Sequence, residues 1–139
     1  MGLVYAEIEL ISGEDLVLQR KGYINEREIK RERVTALVDT GAYMLAINEN
    51  IKINLGLSKI DTQMIELADG SYQARDVVGP IEIRFENRRA NVDAIVLQGD
   101  SEVLLGSIPM EDMDVSVNPK EQKLIVNPES PYIAKKKMK

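Results

Sequence analysis

Ala36-Leu37-Val38-Asp39-Thr40-Gly41-Ala42 is the stretch on which the fold of this chain turns. Three apolar residues deliver one carboxylate to the end of what reads as a buried strand, and a glycine follows two positions later. An aspartate there needs a reason, because an unpaired carboxylate held away from water costs several kcal/mol or takes up a proton. Two readings are open. Asp39 caps a turn, since Asp and Gly are common turn residues, or it is presented for chemistry.

Working outward, the dominant period is two, the period of half-buried strands. Upstream, Val4, Ala6, Ile8 and Leu10 alternate with Tyr5, Glu7 and Glu9, giving a strand over Gly2 to Ile11. Gly13-Glu14-Asp15 predicts a turn into a second strand at Leu16 to Arg20. Glu28 to Val38 begins charged and becomes apolar at Val34, as a strand running from the surface into a core would. Downstream, Asn48 to Leu57 breaks the alternation and places Ile51, Leu55 and Ile47 on one side of a short helix ending near Gly56.

Strands over Gln63 to Ala68 and Ser71 to Val78 flank Asp69-Gly70, a two-residue hairpin signal that demands φ > 0 at both positions. Ile81, Ile83 and Phe85 lead to a turn at Asn87-Arg88-Arg89, then a strand over Ala90 to Leu97. After Gln98-Gly99-Asp100 comes the apolar run Val103-Leu104-Leu105, and Pro109 suits the first turn of a short helix. Val115 to Val117 and Lys123 to Val126 form a last hairpin around Asn118-Pro119-Lys120-Glu121. Short strands, frequent turns and one or two short helices predict an all-β barrel or sandwich. We expect one domain over residues 1–133 and a basic tail over 134–139, frayed into solvent.

Composition narrows the chemistry. The 139 residues are 44% hydrophobic and 29% charged, ordinary for a globular domain. With no Cys and no His, disulfides, thiolate nucleophiles, His-based triads and His or Cys metal sites are excluded. Hydrolysis would rest on carboxylates, on lysine, or on a cation held by oxygen alone. A net charge of −5 argues against a nucleic-acid partner. No apolar run has the ~18 residues of a membrane span, and the first residues lack a charged stretch followed by an apolar one. The cytoplasm is the expected location, with no membrane partner.

Val103-Leu104-Leu105-Gly106 repeats the pattern of an apolar strand ending at glycine. Together with Leu37-Val38-Asp39-Thr40-Gly41-Ala42 and the intervening Leu67-Ala68-Asp69-Gly70-Ser71, it resembles the retropepsin-like aspartic proteases, in a bacterial-type, single-domain form. The resemblance runs from about Val34 to Val126 and implies a closed β barrel. In that family the aspartate loop and the second strand are threaded together, and the hairpin between them forms a flap over the substrate.

The resemblance also implies an activity and a set of roles. Two facing carboxylates share one proton, so they ionise in separate steps; this enzyme family is itself the standard example of that behaviour. The ionised member polarises water toward a peptide carbonyl, and the protonated member bonds the carbonyl oxygen. Because the chain holds one Asp-Thr-Gly, a homodimer is required, with Asp39 catalytic in each copy. Thr40 would brace the partner loop, and Gly41 would let backbone approach the carboxylate. Ala42 and the flap residues Ala68, Asp69 and Gly70 would contact an extended peptide or protein substrate. No cofactor and no metal are expected. Viral members commonly carry an acid where this chain has Tyr43 and an arginine where it has Ser107, so their substrate preferences do not transfer.

Other groups give weaker leads. Ser71 and Ser107 stand in no nucleophile motif. Glu111, Asp112 and Asp114 lack calcium-loop spacing and read as a solvated helix start. The six methionines read as core fillers. The rival to an endopeptidase is a non-catalytic dimeric module that binds peptide or protein in the same cleft, with Asp39 organising its loop.

Overall fold

The computed structural model describes residues 2–138; Met1 and Lys139, the last residue of the basic run, lie outside it. The described residues form nine strands: β1 Tyr5–Ser12, β2 Arg31–Val38, β3 Leu45–Asn48, β4 Lys59–Glu66, β5 Tyr72–Phe85, β6 Arg88–Leu97, β7 Val103–Leu105, β8 Val115–Asn118 and β9 Lys123–Val126. The helices are α1 Gly13–Arg20, α2 Glu49–Asn54 and α3 Ser107–Met113, with a 3-10 turn at Glu26–Glu28. No described helix is long and apolar enough to cross a membrane.

Sheet order β1-β2-β7-β3-β6-β5-β4, with β1 also pairing β5, closes six strands into a barrel and leaves β4 hanging on β5. Closure depends on β5 changing partners. Its first half pairs with β4, from Tyr72↔Glu66 to Val78↔Lys59, and its second half pairs with β1, from Ile81↔Ser12 to Arg84↔Glu9. The register shifts between Val78 and Ile81, so Gly79-Pro80 is the corner where the strand leaves the hairpin and enters the barrel wall. β8 and β9 form a separate two-stranded sheet.

The alternation seen in the sequence becomes the core. Ala6, Ile8 and Leu10 of β1 point inward beside Ala36, Leu45, Ile47, Val78, Ile81, Ile83 and Leu105. Among the described residues the buried polar side chains are Ser12, Asp15, Glu82 and Arg88, and Arg88 keeps Nε and Nη1 without a hydrogen-bond partner. Glu82 is 4% exposed, and burial alone would raise its carboxyl. Bonds from Arg84 (2.6 Å) and Arg89 (2.9 Å) outweigh that and hold it below the usual carboxylate range.

Several expectations need correction. The segment expected as a strand at Leu16 to Arg20 is helix α1. Ser12 accepts a bond from the Asp15 amide at 3.2 Å, and Asp15 accepts one from the Lys30 amide at 2.9 Å. That cap fixes a helix where the apolar run Leu16-Val17-Leu18 by itself fits either period. Among the described residues the helices therefore number three, not one or two. Ile47 belongs to β3 rather than to α2, while Ile51 and Leu55 are buried on the helix as expected. Arg88 and Arg89 begin β6, so the turn before it is Glu86-Asn87, with Glu86 at φ 51°. Of the described methionines only Met110 and Met113 are core residues, while Met64 and Met138 are exposed.

Candidate active site

The Asp39 loop is set by the threading of β7. This strand lies between β2, with which it runs parallel (Ala36↔Val103 to Val38↔Leu105), and β3, with which it runs antiparallel (Leu45↔Leu105). To pass from β2 to β3 the chain must cross the end of β7. It does so at Gly106, where an added Cβ would lie 2.4 Å from the Met44 carbonyl oxygen, 2.7 Å from Tyr43 C and 2.8 Å from the Ala42 carbonyl oxygen. Only glycine admits so close a backbone crossing. The threading and the closed barrel both match what the sequence resemblance implied.

Within the loop, the Asp39 amide donates to the Leu105 carbonyl at 3.0 Å, which ties it to the end of β7. The Ala42 amide donates to the Asp39 carbonyl at 3.1 Å, closing a turn, and the Gly41 amide donates to Asp39 Oδ1 at 3.0 Å. Oδ1 is thereby oriented by backbone, and Oδ2 takes no part in that bond. Asp39 and Ala42 are half-buried; Thr40 and Gly41 are exposed. A Cβ on Gly41 would meet a single neighbour, Asp39 Oδ1 at 3.3 Å. On the far side the Ser107 amide donates to the Ala42 carbonyl at 2.8 Å, and the Ile108 amide to the Tyr43 carbonyl at 3.0 Å. The first turn of α3 therefore backs the loop. Sequence reading gave these two amides no role. Their signal is the obligatory glycine before them.

Ala68, Asp69 and Gly70 form the tip of the β4–β5 hairpin and are exposed. The tip is a three-residue loop rather than the two-residue turn expected: Leu67 N donates to the Ser71 carbonyl (2.8 Å) and Gly70 N to the Leu67 carbonyl (2.9 Å). Gly70 alone of the tip takes positive φ, at 85°. The Ser71 hydroxyl (2.6 Å) and amide (2.9 Å) both donate to Asp69 Oδ1 and hold its carboxyl below the usual range. Asp69 thus stiffens the tip. β4 is exposed along nearly its whole length and pairs only with β5, so the hairpin projects from the barrel.

Two of the concavities on the single chain bear on the site. One of about 450 Å³ is lined by Met44, Leu45, Val92, Asp93, Ile108 and Pro109. The other, of about 400 Å³, includes Glu32, Asp100 and Glu102. Neither is lined by Asp39 or by the hairpin tip. The acidic residues Glu111, Asp112 and Asp114 lie at the end of α3, not at its start, and no group of three or more carboxylates among the described residues is arranged to hold a metal ion.

Residues 25–112 match the family model described as "gag-polyprotein putative aspartyl protease". No curated protein matches the chain. The matched span is well over half of the sequence and runs from before β2 to the last turn of α3. Inside it lie Asp39-Thr40-Gly41, the hairpin and Leu104-Leu105-Gly106, threaded in a six-strand barrel, and on these grounds the chain belongs to the retropepsin-like aspartyl protease family.

Proposed function

We propose that this chain is an aspartic endopeptidase whose dyad is formed by Asp39 of two identical copies. The observation that carries the reading is the family match across a loop in which Asp39 Oδ1 is oriented by the Gly41 amide. A carboxylate held by the Gly41 amide, half-exposed just after a barrel strand, is disposed to meet a second one. Two such groups at hydrogen-bond distance keep one proton between them, and water held by the pair attacks the peptide carbonyl. Thr40, exposed beside Asp39, is the residue we assign to bracing the partner loop. The β4–β5 hairpin, with Ala68, Asp69 and Gly70 at its tip, is assigned to closing over an extended peptide and excluding water.

The test is hydrolysis of a broad peptide library from acid to neutral pH by the wild type and by Asp39→Asn, with pepstatin binding in parallel. We expect turnover and Asp39-dependent inhibitor binding in the wild type. Asp39→Asn should lose at least about a thousandfold in kcat while unfolding at the same urea concentration. Full hydrolysis by Asp39→Asn removes the assignment. Peptide binding with no cleavage at any pH makes the chain a binding module on the same fold.

A further inference from the structure

The helix that backs the Asp39 loop is fastened at its other end by the C-terminal segment. Asp114 closes α3 in the left-handed conformation, φ 55° and ψ 54°. Its carboxylate accepts bonds from Asn127 Nδ2 (2.9 Å), Ser130 Oγ (2.5 Å) and the Lys135 amide (2.9 Å), and its carbonyl accepts the Asn127 amide (3.1 Å). Arg88, with its side chain 1% exposed, stands 3.7 Å from Asp114 and also donates to the Ser130 carbonyl. Lys136 Nζ reaches Asp112 at 2.6 Å, and Asn87 Nδ2 reaches the Pro131 carbonyl at 2.9 Å. Lys135 and Lys136 of the basic run are therefore tied down rather than frayed.

Residues 127–136, the strap, have no strand or helix of their own. Ordering such a segment costs backbone entropy, so its place depends on these anchors. The dependence is mutual. Carboxylates at the C-terminal end of a helix oppose its dipole, and Asp112 and Asp114 are compensated there by Lys136, Arg88 and the strap's donors. At the other end of α3, Ser107 and Ile108 hold the carbonyls of Ala42 and Tyr43. The helix is about 10 Å long at 1.5 Å per residue, and Met110 and Met113 are buried beneath it. It joins the strap to the loop as one short rigid piece.

We propose that Asp114 is a positioning residue for Asp39: by fastening residues 127–136 to the end of α3, it fixes the helix turn that holds the Asp39 loop. This rests on the assignment of Asp39 as the catalytic carboxylate. Asp114→Asn removes the charge and one acceptor while keeping a residue tolerant of the left-handed region, and Ser130→Ala removes one anchor without touching α3.

The experiment measures amide exchange residue by residue, together with kcat and KM on a peptide that the wild type cleaves. In Asp114→Asn the Ser107 and Ile108 amides should exchange about tenfold faster or more, with Ile8 and Leu10 unchanged. The kcat should fall about tenfold at a KM within about twofold. Ser130→Ala should move both readouts the same way by less. Faster exchange at Lys135 with none at Ser107 and Ile108 overturns the proposal, because the strap then opens without the helix turn responding. Uniform acceleration that includes Ile8 also overturns it, since Asp114 would then support only the fold. Were the wild type to cleave no peptide, the exchange data would still decide the coupling, and the assignment of Asp39 would fall by itself.

Discussion

Two glycines shape the Asp39 loop and do different things, and the difference is measurable. A methyl group on Gly106 meets three backbone atoms between 2.4 and 2.8 Å, none of which moves without unthreading β7 from the crossing above it. Gly106→Ala should therefore destabilise the chain by about 3 kcal/mol, seen as a lower urea midpoint at unchanged slope. A methyl group on Gly41 meets only Asp39 Oδ1, at 3.3 Å. Gly41→Ala should cost less than about 1 kcal/mol in stability yet lower kcat at least about tenfold, because the atom it displaces belongs to the carboxylate. At this scale much was legible. Asp39-Thr40-Gly41 and Leu104-Leu105-Gly106 are contiguous motifs, and glycine at a strand end is a local signal of close backbone approach. The role of Asp114 was not legible, because its partners Arg88, Asn127, Ser130 and Lys135 lie 13 to 26 positions away in no fixed spacing.

Among the elements, strands with clean alternation lie within a few residues of where they were expected, and α1 was misread because its short apolar run fits both periods. In α1 the deciding information is the cap, Ser12 to Asp15, together with Gly22 after the helix end at φ 82°, and not the apolar residues themselves. Ser12 is 2% exposed and its hydroxyl holds the first turn, so Ser12→Ala should cost about 1 kcal/mol, checked by urea unfolding with circular dichroism. β3 escaped notice because its four residues follow a loop and pair with two strands distant in sequence, β6 and β7. The strap carries an acid-sensitive term. Bonds from Ser130, Asn127 and the Lys135 amide, with the charge of Arg88, lower the Asp114 carboxyl from 3.8 to about 2. A carboxyl depressed on folding contributes stability above its unfolded value and loses it as pH falls through the folded one. Stability should thus decline between about pH 4 and 2, and Asp114→Asn should be less stable at neutral pH with a shallower acid decline, as followed by urea midpoints across that range.

For the whole molecule the question is whether one chain or two make a site, and the chemistry permits a direct count. A single carboxylate cannot both polarise the water and donate to the carbonyl oxygen, so the mechanism we propose requires a second Asp39 from another copy. When wild type and Asp39→Asn are mixed in equal amounts and allowed to exchange subunits, random pairing leaves about one quarter of dimers with two aspartates. Activity should therefore fall to about one quarter of an equal total concentration of wild type, with heterodimers inert. Independent sites within each chain would instead leave about one half. The same coupling should make specific activity rise with protein concentration until the dimer is saturated, on the concentration scale where sedimentation passes from one mass to twice that mass. Activity that stays proportional to the wild-type fraction, at every concentration, would mean that Asp39 works without a copy of itself, and the shared-proton mechanism would have to be given up for this chain.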